Sequence, residues 1–475
     1  MQAPTPVSAT ARVMTRARRL VQPVQRPPGP PVQPVIGRLP RVERALAGHG
    51  IEYMLDPLKF LTRMSEGHGP ISHARLGIKH VYMLSDPALI HEVMIGRYRE
   101  FCKGVLWKRF LIPLIGMAPL SADGEAWQRY RKMSTPPLQR KHIAGYADEM
   151  VACTERMVAE FSHGETRDIY ADMSRLTLDI VSRCLFGQDT TRDATKLIEA
   201  LDAAMENFAR SAYSPRFLLP HWLDPSQTLG RAAKQTDEIA YAMIDRCRAD
   251  GATGNDLLSR LIHARDDDGE AFTDREIRDH IATMLFAGYE TTAISLAYTL
   301  AQLFDNRQVA ERLRAEVDRV LGQRTATFDD VPQLPYADAV FKEALRLYPP
   351  VYAFVREPTQ DLELGGFTIP RGSILILSPY VMQRKARYYR DPEAFRPERW
   401  LSGETDDNPR FAYFPFASGA RVCLGIHFAK LEAVLVLVTL MQRLSLQVEP
   451  GFQVAPATLM TLRPATGLKV IVERR

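Results

Sequence analysis

The sequence predicts a helix-rich α+β fold, mainly α with small β-sheets. Three observations carry that expectation. Apolar residues return every three or four positions over most of the chain, the period of a helix that buries one face. Period-two alternation is confined to short stretches between positions 71 and 84 and between 362 and 377. Strands do not alternate with helices, and no strand-like piece runs into a GxGxxG or GxxxxGKS/T loop, which excludes a fused nucleotide-binding module.

The elements follow in chain order. Residues 1–26 form a basic tail with Arg12, Arg16, Arg18, Arg19 and Arg26 and no acidic residue. A helix over Ala9–Val21 would put Arg12, Arg16 and Arg19 on one face and Val13, Ala17 and Leu20 on another, although Pro4, Pro6 and Pro23 limit any helix there. Pro27-Pro28-Gly29-Pro30-Pro31, then Pro34 and Gly37, cannot continue a helix and mark the entry into a single folded domain over residues 27–475. Strands are expected at Ile71–Leu76 and His80–Leu84. Helices are expected at Met150–Phe161, Arg175–Phe186, Gln235–Cys247, Ile277–Phe304 and Gln308–Leu321. Leu362–Ile369 and Ser373–Leu377 read as a hairpin turning at Pro370-Arg371-Gly372, and Leu431–Leu444 reads as a last helix.

Composition narrows the function. With 46% hydrophobic and 25% charged residues among 475, the chain is globular and not disordered. Five of its 61 basic side chains lie in the tail, so positions 27–475 balance 56 bases against 56 acids and offer no bulk electrostatic case for nucleic acid. Cys102, Cys153, Cys184, Cys247 and Cys423 are odd in number, widely spaced and free of any CxxC, which argues against a disulfide framework and a structural zinc site. The longest apolar runs, such as Ala433–Met441, fall short of the roughly 20 residues that span a bilayer, and the N-terminus has no apolar signal core. A soluble cytoplasmic monomer is expected. The acid-free tail suggests weak contact with anionic membrane surfaces, or alternatively an organelle presequence.

Chemistry concentrates at Phe416-Ala417-Ser418-Gly419-Ala420-Arg421-Val422-Cys423-Leu424-Gly425, a two-glycine loop that runs into the last helix. There, unpaired backbone N–H groups and the positive end of the helix dipole favour a thiolate, the form of cysteine that binds metal. A single cysteine is more often a buried small hydrophobe, and the flanking pattern decides against that reading. Phe416, Gly419, Arg421, Cys423 and Gly425 at this spacing resemble the haem-binding loop of the cytochrome P450 family. The resemblance covers residues 27–475, and its other motifs occur in family order. Glu343-Ala344-Leu345-Arg346, followed by Leu347-Tyr348-Pro349-Pro350, is similar to the ExxR helix, and Phe395-Arg396-Pro397-Glu398-Arg399-Trp400 to the PER segment. Ala287-Gly288-Tyr289-Glu290-Thr291-Thr292 sets a carboxylate and hydroxyls inside an apolar helix, where such groups are unfavourable unless used, and resembles the oxygen-activation motif.

The resemblance implies a single P450-like domain with a long central helix over haem b (iron protoporphyrin IX). Cys423 would be the iron ligand and Phe416 its packing neighbour. Arg421, Arg356 and the Trp127–Arg131 pair would hold the propionates, since a guanidinium grips a carboxylate without losing charge. Glu343, Arg346 and Arg399 would form a buried structural ion network. Glu290 and Thr291 would relay protons to dioxygen, and Gly288, after Ala287 in the same motif, would supply the kink that opens a groove for it. Ala417 departs from the family's usual Gly or Ser, and at positive φ it would cost about 1 kcal/mol.

The implied activity is a haem-thiolate monooxygenase that inserts one atom of dioxygen into a largely apolar substrate such as a lipid or terpenoid. Electrons would come from a separate ferredoxin or flavoprotein, with Arg129, Lys132, Arg140, Lys141 and Lys430 as the candidate docking cations. Segments Leu106–Leu120, Arg210–Leu223, Ile281–Tyr289, Val351–Val355 and Leu459–Leu462 map to the substrate cavity and are mostly apolar, with Lys108, Arg109, Arg210 and Arg216 as charged exceptions. Two other readings compete. An electron-transfer or gas-sensing haem protein ligated through His427 has no use for the Glu290-Thr291 pair, and a peroxide-driven oxygenase would dispense with the relay.

Overall fold

The computed structural model describes residues 26–32, 48–189 except 78, 197–206 except 200 and 204, 227–448 except 255, and 454–475. The expectations for Ala9–Val21, for the tail arginines before Arg26, for Pro34 and Gly37, and for Arg210–Leu223 lie outside those residues. The elements that position the site are α1 (Pro57–Ser65), β1 (Ile71–Leu76), β2 (Lys79–Leu84), β3 (Phe101–Cys102), α2 (Val105–Ile115), α3 (Gly124–Ser134), α4 (Ala147–Ala159), β4 (Thr166–Asp168), α5 (Ile169–Phe186) and α6 (Gln227–Ala249). They continue with α7 (Leu257–His263), α8 (Asp274–Asp305), α9 (Arg307–Leu321), α10 (Pro335–Leu347), β5 (Phe354–Pro358), β6 (Leu362–Leu364), β7 (Phe367–Ile369), β8 (Ile374–Leu377), α11 (Ile426–Arg443), β9 (Leu444–Val448), β10 (Pro456–Thr458), β11 (Leu462–Pro464) and β12 (Lys469–Arg474).

The 32-residue α8 is the axis of the molecule. Its start is fixed by a capping box in which Thr273 and Glu276 satisfy each other's backbone N–H groups. Helices cover most of its middle, α5 most extensively, then α6, α10 and α11, and leave a partly exposed stripe at Met284, Ala287, Gly288 and Thr291. Ile277, Ile281, Leu285, Ala293, Leu296 and Leu300 are buried in the main core there. The partner α5 is bounded by Asp168, which accepts from Tyr170 N and Ala171 N, and by Gly187 in the left-handed conformation at its C-terminus. α10 starts with Pro335 in its first turn and stops before Pro349-Pro350.

A five-stranded sheet in the order β1-β2-β8-β5-β3 flanks the bundle, with β2 and β8 parallel and the other pairs antiparallel. The expected hairpin is corrected here. β6 and β7 pair with each other across Gly365-Gly366, both at positive φ, the backbone a two-residue hairpin turn demands. Pro370-Arg371-Gly372 instead carries the chain to β8, which joins the larger sheet. The smaller sheets are β4-β12-β9 and the hairpin β10-β11. Among the described residues no helix is long and apolar enough to cross a membrane.

Candidate functional site

The cysteine loop is tied by Cys423 N–H donating to Phe416 O at 2.9 Å. Ala417 lies at φ 59, so this non-glycine residue occupies the left-handed region. Gly419 lies at φ 68, and a Cβ there would sit 2.5 Å from Met94 O and 2.9 Å from Ile95 Cγ1. Only glycine lets the loop approach the turn at Glu92–Gly96. Gly425 is the N-cap of α11, with open space where its Cβ would stand. All five cysteines are free, and Cys423 is the exposed one, against three buried and one half-buried. The protein around its sulfur pushes the thiol pKa up, while the Gly425 backbone N–H and the Arg131 charge pull it down.

Beside this thiol the fold gathers cations from distant segments. Arg421 donates to Ala122 O and to Asp123 Oδ1, both at 2.8 Å, with its guanidinium 4.1 Å from the centre of the Trp127 ring. Arg131 donates to Val422 O at 2.8 Å. Lys108 pairs with Asp123 at 3.1 Å, so this exception in the apolar segment turns toward the cluster. Arg356 is 7% exposed and donates to Val355 O. Its pKa falls to about 10 through burial and Arg421, with Asp123 opposing. Lys103 is held well below its usual value by burial, Arg356 and Arg421, with Asp123 again opposing. Burial disfavours the charge of Arg356, Arg421 and Arg131, and an anion seated among them would offset that cost. This donor set fits the two propionates of a haem, which Arg356, Arg421 and Arg131 would hold, with Cys423 as the residue that would bind the iron.

The central helix runs unbroken through Ala287–Thr292. Gly288 is required by close approach, since a Cβ would lie 2.9 Å from Val181 Cγ2 on α5. The small residue therefore admits α5. Thr291 Oγ1 donates to Ala287 O at 2.8 Å. Glu290, 1% exposed, accepts from Arg463 Nη2 at 2.5 Å and from Thr461 Oγ1 at 3.0 Å, so its carboxyl faces β11 and not the Thr291 hydroxyl. Asp202 accepts from the same guanidinium at 3.2 Å. Burial raises the Glu290 pKa, and Arg463 and Thr461 lower it.

Glu343, Arg346 and Arg399 are fully buried together. Glu343 accepts from Arg346 Nε (2.9 Å) and Nη2 (2.8 Å), Arg399 Nε (3.0 Å), Trp400 Nε1 (2.9 Å) and Arg396 N (3.0 Å). Arg346 also donates to Gln383 O, Pro392 O and Ala394 O, which ties α10 to the chain preceding the cysteine loop.

Sequence reasoning missed Arg463, Thr461 and Asp202, which no local motif links to Glu290. It also missed Lys103 and Asp123. Asp123, four residues before Trp127, was the one with a nearby signal. Of the proposed docking cations, Arg129 is taken up by Asp266 and Glu276, both at 2.6 Å, and Lys132 by Asp267. Lys430 stands 6.0 Å from the centre of the Phe416 ring, whereas Arg140 and Lys141 are exposed.

Helical bundle, cysteine loop and cation cluster together define a haem-thiolate fold. The family model for cytochrome P450 matches residues 27–472, and the chain belongs to that family. It is 34% identical over 435 residues to cyclooctatin synthase of Streptomyces melanosporofaciens, covering 90% of this chain and 94% of that one. It is 30% identical over 418 residues to pentalenene oxygenase of Streptomyces avermitilis, covering 88% and 93%. The crystal structure of the cytochrome P450DA haem domain superposes with a TM-score of 0.82 at 25% identity, covering 96% of this chain and 99% of that one. The protein is a cytochrome P450 monooxygenase, an oxidoreductase that uses a substrate, dioxygen and a redox partner.

Proposed function

We propose that residues 27–475 bind haem b through Cys423 and oxidise a terpenoid-type hydrocarbon with electrons from a separate ferredoxin or flavoprotein, residues 1–26 being a basic tail outside the catalytic domain. The observation that carries this reading is the Cys423 loop before α11, closed by Cys423 N–H on Phe416 O and flanked by Arg131 on Val422 O and Arg421 on Asp123. When bound, the haem supplies the redox chemistry that activates dioxygen, and thiolate donation favours O–O cleavage. Arg421, Arg356, Arg131 and Trp127 would hold and orient it. The substrate class is supported by the apolar stretches Ile281–Tyr289, Val351–Val355 and Leu459–Leu462, and by relatives named for cyclooctatin and pentalenene chemistry.

The chain's own part in oxygen use is to move protons while keeping water out. Thr291 holds a hydroxyl that bonds to Ala287 O and can hand its proton forward. Glu290, with its pKa raised by burial, can carry a proton where a surface carboxyl would not, and to serve Thr291 it would have to leave Arg463 and Thr461, which hold it here. Arg463, which holds the carboxyl, also borders a cavity of about 400 Å³ shared with Asp168, Tyr170 and Glu206. Thr291→Ala should leave haem content and substrate affinity nearly unchanged while lowering product per reductant consumed and raising hydrogen peroxide. An unchanged ratio would place the relay elsewhere.

A further inference from the structure

The C-terminal end of α2 is completed by side chains of the central helix. A helix leaves its last carbonyls without intrahelical partners, and Pro113 removes one further donor inside this short helix. Leu114 O accepts from Arg278 Nη2 at 3.1 Å, and Ile115 O accepts from Thr283 Oγ1 at 3.4 Å. Met117 N–H donates to Asp279 Oδ2 at 2.7 Å. Between them Gly116 stands at φ 66, and a Cβ there would overlap the Asp279 carboxylate. The carboxylate thus fills the space of a side chain. Arg278 Nη1 donates to Asp279 Oδ1 at 2.9 Å, and Arg278 Nε pairs with Asp237 on α6. Both Arg278 and Asp279 are buried. One guanidinium therefore joins α2, α6 and α8.

We infer that Asp279, braced by Arg278, is a positioning residue for substrate: it pins the end of α2 to the central helix and so sets how readily that wall of the cavity opens. The inference rests on the reading of Leu106–Leu120 as a cavity wall in a haem-thiolate enzyme. Asp279 lies more than two helical turns before Thr291 and belongs to neither the cysteine loop nor the cation cluster. Loosening it should change the entry and exit of bulky ligands and leave the iron ligation alone. A bond to a charged group is among the stronger ones, and Asp279→Asn removes the charge at nearly constant volume. Thr283→Val removes the Ile115 bond without changing shape and serves where Asp279→Asn folds poorly.

The holoenzyme is tested with two iron-binding probes, imidazole and a bulky triaryl-substituted imidazole, by stopped-flow absorbance. Hydrogen exchange of the peptide covering residues 112–122 is followed in parallel. In Asp279→Asn the bulky probe should dissociate about tenfold faster and in Thr283→Val about threefold faster, with imidazole within about twofold of wild type. Exchange should quicken at residues 112–122 and not at 419–425. Equal dissociation of the bulky probe in wild type and both variants overturns the inference, as does an equal change for both probes. If neither probe shifts the wild-type spectrum, the haem-thiolate reading itself fails, and the inference with it.

Discussion

Replacing Glu343 by Gln tests whether the buried ion network holds α10 to the segment leading into the cysteine loop. Glu343 accepts five hydrogen bonds, three of them from the guanidinium groups of Arg346 and Arg399, and all three side chains are fully buried. The amide can accept at one oxygen only, and its NH₂ meets donors at the other. Two buried guanidinium groups then lose their shared countercharge, a change that costs about 3–5 kcal/mol. The control is Glu404→Gln. Glu404 accepts from Arg399 at 2.7 Å and Arg396 at 3.1 Å but is 26% exposed, so its loss should cost about 1 kcal/mol or less. Denaturant unfolding of the holoprotein, followed by far-ultraviolet circular dichroism and haem absorbance together, gives both differences. A Glu343→Gln loss no larger than that of Glu404→Gln would refute the reasoning.

Ala417→Gly should stabilise the protein by about 1 kcal/mol, because φ 59 suits glycine, whereas Gly419→Ala should destabilise it against Met94 O; thermal unfolding reads both. Stability should also fall with acid. Burial lowers the His280 pKa to about 4, and the ring is fully buried with Nδ1 donating to Glu276 O at 2.7 Å. The unfolded chain takes up this proton near pH 6.5 and the folded chain only near pH 4, so between those values the unfolded state binds more protons. Stability is lost as pH falls through that window, by at most about 3 kcal/mol from this group. His73, lowered to about 4 by burial and by His80, adds in the same direction. His280→Asn should flatten the pH profile of denaturant midpoints, and an unaltered slope would contradict the assignment.

What the sequence made legible was what is local. The helix expected at Ile277–Phe304 runs over Asp274–Asp305, and its first three residues are added by the Thr273–Glu276 capping box. The spacing Glu343/Arg346 reads as one helical face, and the cysteine loop carries its glycines and arginine in one run of ten residues. Glu290 was different. Its partner Arg463 lies 173 residues away on a strand whose position follows from sheet pairing, to which periodicity is blind. The same holds for Asp279, whose use depends on Gly116 arriving at positive φ. The misplaced hairpin arose because Pro370 and Gly372 signal a turn as strongly as Gly365-Gly366 do, and only tertiary pairing decides which turn closes a ladder.

The account stands or falls with Cys423 as the iron ligand. The most direct measurement is the carbon monoxide difference spectrum of the dithionite-reduced protein, wild type beside Cys423→Ser, at matched haem content. Thiolate ligation predicts the red-shifted Soret band in wild type and its loss in Cys423→Ser, with haem still bound through the Arg421 and Arg356 cluster. An identical red-shifted band in both proteins would contradict it.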